Sequence, residues 1–154
     1  MNYNKAQERV FKALVNGNRV IRFDIDEQNT CISPDGFQGW VFQNRAIVLD
    51  VEKIPVANHL NLKGLVLPEN ELKQTLDFKL VNERSKTMLR KFEGQDKTVW
   101  VNSSYLDLFQ NPKFWQEKDK PLGHIVVTEK IRKEDVPVGV VLPVRILGGT
   151  EVTM

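Results

Sequence analysis

Hydrophobic residues near the N-terminus recur with the spacing of an α-helix. At about 100° per residue, the apolar side chains spread over one broad face and three basic side chains align opposite them. Asn4 is a suitable N-cap with Gln7 three residues later, and Gly17 suits the left-handed residue after a helix. The pattern predicts an amphipathic helix from about Lys5 to Val15. Its apolar face consists of Ala6, Val10, Phe11, Ala13 and Leu14, and its basic stripe of Lys5, Arg9 and Lys12.

After this helix, apolar and polar residues alternate over short stretches separated by turn residues, a pattern typical of β-strands. The turn Ser33-Pro-Asp-Gly36 separates two of them, since its proline and glycine favour a tight turn. We therefore expect an antiparallel meander in the first half of the chain. Its strands are predicted at residues 19–24, 30–32, 39–42 and 45–51.

The second half is predicted to hold further strands and a second helix. Residues 69–74 are assigned a helical turn, and Asn102 is expected to cap a short helix that runs to about Phe109 and ends at Asn111-Pro112. A charged turn is expected over residues 130–135. The strands of this half are predicted at residues 76–80, 83–92, 98–101, 122–129 and 138–147.

These elements predict an α+β fold with two helices and antiparallel sheets. A chain of 154 residues fits a single domain, here 1–154. The Asn-rich stretch 55–68 is bounded by prolines and is our candidate connection. It divides the domain into two halves, 1–54 and 69–154, which we expect to be similar.

Composition narrows the class of protein but does not identify a partner. Hydrophobic residues make up 41% and charged residues 27% of the chain, and the formal net charge is +2. These values are typical of a globular protein and neither require nor exclude a nucleic acid. Cys31 is the only cysteine, so an intrachain disulfide is excluded. Because the sequence shows neither an apolar leader nor a membrane-spanning stretch, we expect a cytoplasmic protein without membrane contact.

Signatures of enzymes are missing from the sequence. It contains no glycine-rich phosphate loop, no His-Glu-x-x-His and no Gly-x-Ser-x-Gly. The two histidines, His59 and His124, lie far apart. Asp24 and Asp26 could hold a divalent cation with Glu27 or Asp50, although such a pair more often marks a turn. We expect no catalytic residue, metal or cofactor, and Cys31 is expected in the core.

Positive charge is the more informative feature. Besides the stripe on the first helix, three basic residues recur at even spacing on one predicted strand, with Lys91 beside them. Such stripes are suited to phosphate contacts, although charged faces also serve solubility. Trp115, in a polar segment, is the one tryptophan expected to be exposed for stacking. The candidate DNA contacts are Lys5, Arg9, Lys12, Arg84, Lys86 and Arg90.

Three stretches in the second half of the chain are Val99-Trp-Val-Asn-Ser-Ser-Tyr-Leu-Asp-Leu-Phe109, Gly123-His-Ile-Val-Val127 and Val140-Val-Leu-Pro-Val-Arg-Ile146. Together they resemble the last portion of bacterial DNA polymerase sliding clamps. Those proteins have a strand that enters a helix with an Asn-x-Ser-Tyr-Leu-like start, and a final strand of Leu/Met-Pro-x-Arg type. The resemblance implies helices that face DNA and sheets that form subunit edges, so several copies would be needed for a ring. It also implies that Lys5, Arg9 and Lys12 face double-stranded DNA.

Three hypotheses of different classes follow. The first is a non-enzymatic, clamp-like module that contacts the DNA backbone without reading sequence, as a homo-oligomer. The second is a small accessory module, such as those that phages and mobile elements encode, which binds a protein partner through a sheet edge or an aromatic loop. The third is a metal-dependent enzyme built on Asp24, Asp26 and Asp50. Salt-sensitive DNA binding separates the first from the second, and binding of a divalent metal would favour the third.

Overall fold

A computed structural model describes residues 1–82, 87–95 and 97–144. These residues form one α-helix and one nine-stranded sheet. The helix α1 spans Tyr3–Val15. The order of strands across the sheet is β1-β2-β3-β9-β8-β7-β4-β5-β6, and all neighbours are antiparallel. In chain order the strands are β1 (Ile21–Asp24), β2 (Asn29–Ser33), β3 (Gln38–Gln43), β4 (Asn70–Asn82), β5 (Thr87–Gly94), β6 (Lys97–Asn102), β7 (Lys113–Gln116), β8 (Ile125–Ile131) and β9 (Glu134–Val141).

The fold class predicted from sequence, α+β with two helices and two similar halves, is wrong. The protein is predominantly β, because in the described ranges a single large antiparallel sheet accompanies only one α-helix. Strands from both proposed halves also belong to this one sheet, since β3 pairs with β9 and places Trp40 opposite Gly139. The clamp-like arrangement of two halves with inner helices is therefore not the fold of the described residues.

The second helix is replaced by a single 3₁₀ turn over Ser103–Leu106. Asn102 does cap it, accepting a hydrogen bond from the backbone N–H of Ser104 at 3.1 Å. The turn does not continue, because so short a helix has little stability of its own and the next residues pack elsewhere. The ring of Phe109 lies against Gly139, so closely that a Cβ added to the glycine would lie 2.6 Å from the ring.

Two further segments differ from the prediction because tertiary pairing overrides local preference. Residues 69–74, expected as a helical turn, belong mostly to β4, where Leu72 pairs with Phe114 of β7. Residues 45–51, expected as a strand, form an irregular loop that connects two short 3₁₀ turns, Asn44–Ala46 and Val51–Lys53. The meander β1-β2-β3 is confirmed.

Helix α1 is confirmed, but its cap and its buried face differ from the prediction. Asn2, not Asn4, caps it, accepting the N–H of Lys5 at 3.1 Å. Gly17 adopts the expected left-handed conformation, with a φ of 74°. The residues that α1 buries are polar or smaller than phenylalanine, and Phe11 itself is 56% exposed. The buried residues are Ala6, Gln7, Val10 and Ala13.

Apolar side chains cover both faces of the sheet. On one face, α1 packs with β3, β6, β8 and β9 around large rings such as those of Trp40 and Phe92. On the other face, Phe23, Cys31 and Val126 are covered by leucines of the stretch 55–68. No helix in the described ranges is long and apolar enough to cross a membrane.

Candidate functional site

The side-chain amide of Gln7 fastens the loop after β3 to helix α1. Its Nε2 donates to the carbonyl oxygen of Ala46 at 2.9 Å, and its Oε1 accepts the backbone N–H of Val48 at 2.9 Å. Gln7 is only 8% exposed, so these bonds satisfy a buried amide through both its donor and its acceptor. The loop is thereby held in register beside the helix.

The contact of Gln7 with the loop after β3 determines which loop side chain is exposed to solvent. Ile47 and Leu49 pack against the core, whereas Val48 between them is 88% exposed. Phe11 stands one helical turn after Gln7 and, with Val48, lines an open groove of about 360 Å³. Leu14 and Val15 continue the exposed apolar side of the helix. We call Phe11, Leu14, Val15 and Val48 the α1 apolar surface.

The α1 apolar surface is unusual in composition for exposed side chains. Phe11 is 56% exposed and Val15 is 68% exposed, on a helix that also carries polar side chains. Single exposed apolar residues are common, but contiguous groups mark binding surfaces more often. The helix pattern led us to place Phe11 and Leu14 in the core. Only the geometry of the sheet shows that smaller residues occupy that space.

The basic stripe of α1 lies beside this surface, and two of its three cations are paired. Arg9 donates to both carboxylate oxygens of Asp107, at 2.8 Å and 2.7 Å. This hydrogen bonding raises the pKa of Arg9 and lowers the pKa of Asp107. Lys12 pairs with Glu8 one turn earlier at 3.0 Å. Lys5 is exposed on the same side, so the stripe keeps a small excess of positive charge.

Of the second predicted stripe, only Arg90 lies within the described residues. Arg90 turns inward: its guanidinium lies 3.5 Å from the ring centre of Phe78, and its Nη1 donates to the carbonyl of Thr75 at 2.9 Å. Arg84 and Lys86 lie outside the described residues. Contact of these six side chains with DNA stays a prediction.

The candidate metal ligands do not converge. Asp24 pairs with Arg22 at 3.0 Å. Asp26 accepts the backbone N–H of Gln28 and of Asn29, bonds that hold the turn and lower the pKa of Asp26. No group of three potential metal ligands exists within the described ranges. The turn interpretation of Asp24 and Asp26 therefore accounts for their contacts.

The remaining candidate side chains, a cysteine, a tryptophan and two histidines, make contacts that belong to the packing of the fold. Cys31 is buried, as expected, and burial raises the pKa of its thiol to about 12. Trp115 lies in β7 rather than in a loop, and its indole N–H donates to Thr128 Oγ1 at 2.9 Å. The ring of His59 meets Phe23 edge-on. Partial burial lowers the pKa of His124.

Comparison with known proteins adds no further assignment. The chain matches no protein-family model, no curated protein and no solved structure.

Proposed function

We propose that this chain is a protein-binding module whose α1 apolar surface docks an amphipathic segment of another protein. The observation that carries the proposal is the display of Val48 beside Phe11, which the two hydrogen bonds of Gln7 maintain. A binding surface that is already ordered loses little conformational freedom when it is occupied.

The chemistry around the surface indicates the character of the partner. Phe11 and Val48 supply apolar anchors, which are suited to the side chains that an amphipathic helix projects at spacings of three and four residues. The adjacent stripe carries Lys5, Arg9 and Lys12 against the two anions Glu8 and Asp107. The partner segment is therefore apolar on one side and acidic on the flank that meets this stripe.

The same charge balance argues against a second copy of the chain as the occupant. A two-fold contact centred on Phe11 places the same patch of each copy together. Each copy then contributes the same positively charged stripe to the contact and neither contributes an acidic flank, which disfavours the pair. A partner of opposite charge has no such cost.

Binding of short amphipathic peptides tests this proposal. Peptides selected from a displayed library against the wild-type protein are expected to combine apolar anchors with acidic residues. Val48→Ser removes an anchor without adding charge, so we expect affinity for a selected peptide to fall at least about tenfold. Val66→Ser is the matched control, because Val66 is 82% exposed in the stretch 55–68 and lies outside the α1 apolar surface.

Charge reversal tests the acidic flank separately. Replacing Lys5 and Lys12 with Glu is expected to weaken peptide binding at low salt and to have less effect at high salt, because exposed charges are screened. Equal affinities of Val48→Ser and wild type would contradict the proposal. So would sedimentation showing a wild-type dimer that Val48→Ser dissolves, since the occupant would then be a second copy.

A further inference from the structure

A second surface lies at the tip of the hairpin formed by β8 and β9. The ladder pairs Lys130 with Asp135 and Ile131 with Glu134, which leaves a loop of Arg132 and Lys133. Both loop residues have positive φ, 52° for Arg132 and 70° for Lys133. The charged turn expected at residues 130–135 is thus a tight two-residue hairpin loop.

The residue types in this loop are not those that the backbone favours. Two-residue hairpin loops with positive φ at both positions prefer Asn-Gly or Asp-Gly, because other side chains are strained in the left-handed region. Here an arginine and a lysine occupy both positions. A strained conformation that persists at a specific place is a reason to look for a function there.

The tip carries an excess of positive charge. Lys130, Arg132 and Lys133 are exposed, and none forms an ion pair with a residue in the described ranges. Of the nearby anions, Asp135 is 3.7 Å from the Nζ of Lys113, and Glu129 is buried against the amino group of Met1 at 2.7 Å. In the part of the chain that the structure describes, Glu134 is the one exposed anion at the tip.

We propose that the β8–β9 tip binds the phosphate backbone of double-stranded DNA, with Lys130, Arg132 and Lys133 as the contacts. Three cations on an open hairpin tip are better suited to a row of phosphate groups than to a single anion, which needs an enclosed site. A two-stranded ribbon is also narrow enough for the major groove, which is about 12 Å wide. Ile131 is the only large apolar side chain at the tip, 44% exposed, which is too little apolar surface for a membrane anchor.

Three phosphate contacts give weak binding at physiological salt. Affinity that depends on counterion release rises steeply as the salt concentration is lowered. In a plot of log affinity against log salt concentration, each phosphate contact adds about −0.9 to the slope. The tip therefore adds affinity to a complex that another contact assembles, such as a partner on the α1 apolar surface. The DNA contact itself does not depend on that partner.

The sharpest test replaces the loop with the sequence that its backbone prefers. Arg132→Asn combined with Lys133→Gly removes two cations and relieves the strain. We expect the midpoint of thermal unfolding to rise by about 2–4 °C. Affinity for a labelled duplex of arbitrary sequence is measured by fluorescence anisotropy from about 10 to 100 mM salt. We expect the affinity of the loop variant at the lowest salt to be more than about 100-fold below that of wild type. We also expect the slope of log affinity against log salt to become shallower by about 1.8.

A charge-matched control separates the effect of the tip on DNA affinity from the effect of net charge. Lys63→Asn combined with Lys118→Asn also removes two exposed cations, but from a groove that includes His124, next to the opposite end of β8. We expect this variant to bind DNA within about threefold of wild type. The proposal is overturned by absent wild-type binding at about 10 mM salt, by unchanged binding of the loop variant, or by equal losses in both variants. Tighter binding to phosphatidylserine vesicles than to duplex would also overturn it, assigning the tip to a membrane surface.

Discussion

Gln7 Oε1 accepts the backbone N–H of Val48 at 2.9 Å, which makes a buried helix residue responsible for the exposure of a loop residue. The same amide donates to Ala46, so the loop is held at two points. The alternating sequence of residues 45–51 predicts a strand, and nothing in it indicates the turn that the contact with Gln7 holds. The α1 apolar surface is thus a product of one long-range contact.

Removal of this anchor should destabilise the protein and loosen the loop. Gln7→Ala removes two partly buried hydrogen bonds, and a net contribution of about 0.5–1.5 kcal/mol from each predicts a total loss of about 1–3 kcal/mol. Urea unfolding measures the loss of stability, and hydrogen exchange at Val48 should accelerate. Gln28→Ala is the control, because Gln28 is exposed and its side chain should change stability by less than about 0.5 kcal/mol.

The ion pair between Arg9 and Asp107 should have a clear titration signature and a small energetic effect. The Asp107 side chain is 51% exposed, so solvent screening limits the contribution of the pair to less than about 1 kcal/mol. Because its pKa is lowered in the folded state, this contribution is present above the unfolded pKa and is lost as pH falls through the folded one. In Arg9→Gln, the carboxyl pKa followed by NMR should rise; an unchanged value would show that the pair does not form in solution.

His124 should also make stability fall on acidification, but at a higher pH than Asp107 does. Burial lowers its pKa in the folded state, so the unfolded chain binds the proton more readily and stability falls as pH drops below about 6.5. Thermal unfolding at about pH 7.5 and 5.5 should show a smaller difference in His124→Gln than in wild type. His59→Gln is the control. If His59→Gln reduces the pH dependence and His124→Gln does not, the assignment to His124 is wrong.

Cys31 should resist alkylation until the protein unfolds. It is 1% exposed, and burial raises the pKa of its thiol to about 12, whereas the thiolate is the reactive form. Mass spectrometry after iodoacetamide treatment should detect an unmodified native protein and a fully modified one in denaturant. Rapid modification under native conditions would place the thiol outside the core.

Local patterns predicted those elements that local chemistry determines. Helix α1, the left-handed Gly17 and the meander β1-β2-β3 follow from period and turn residues. Elements that depend on distant partners were missed. β4 contains Glu, Lys and Gln, which favour helices, and becomes a strand through pairing with β5 and β7. The same reason explains the missing second helix, since Asp107 binds Arg9 and Phe109 packs on Gly139.

The candidate sites show the same division. The sequence placed the charged stripe of α1 opposite its apolar face, but gave no sign that Asp107 pairs with Arg9. It placed Phe11 in the core because helical periodicity alone cannot say which apolar residues the sheet has room for. The turn at residues 130–135 was expected, whereas the positive φ of Arg132 and Lys133 depends on the register of β8 and β9.

Chemical-shift mapping of a bound peptide shows whether the α1 apolar surface is the docking site. A peptide selected on the wild-type protein is titrated into isotope-labelled protein, and backbone amide shifts are followed residue by residue. We expect the largest changes to cluster at Phe11, Leu14, Val15 and Val48. They should disappear in Val48→Ser and persist in Val66→Ser. Changes centred on another surface, with the amides around Phe11 and Val48 unmoved, would contradict the proposal.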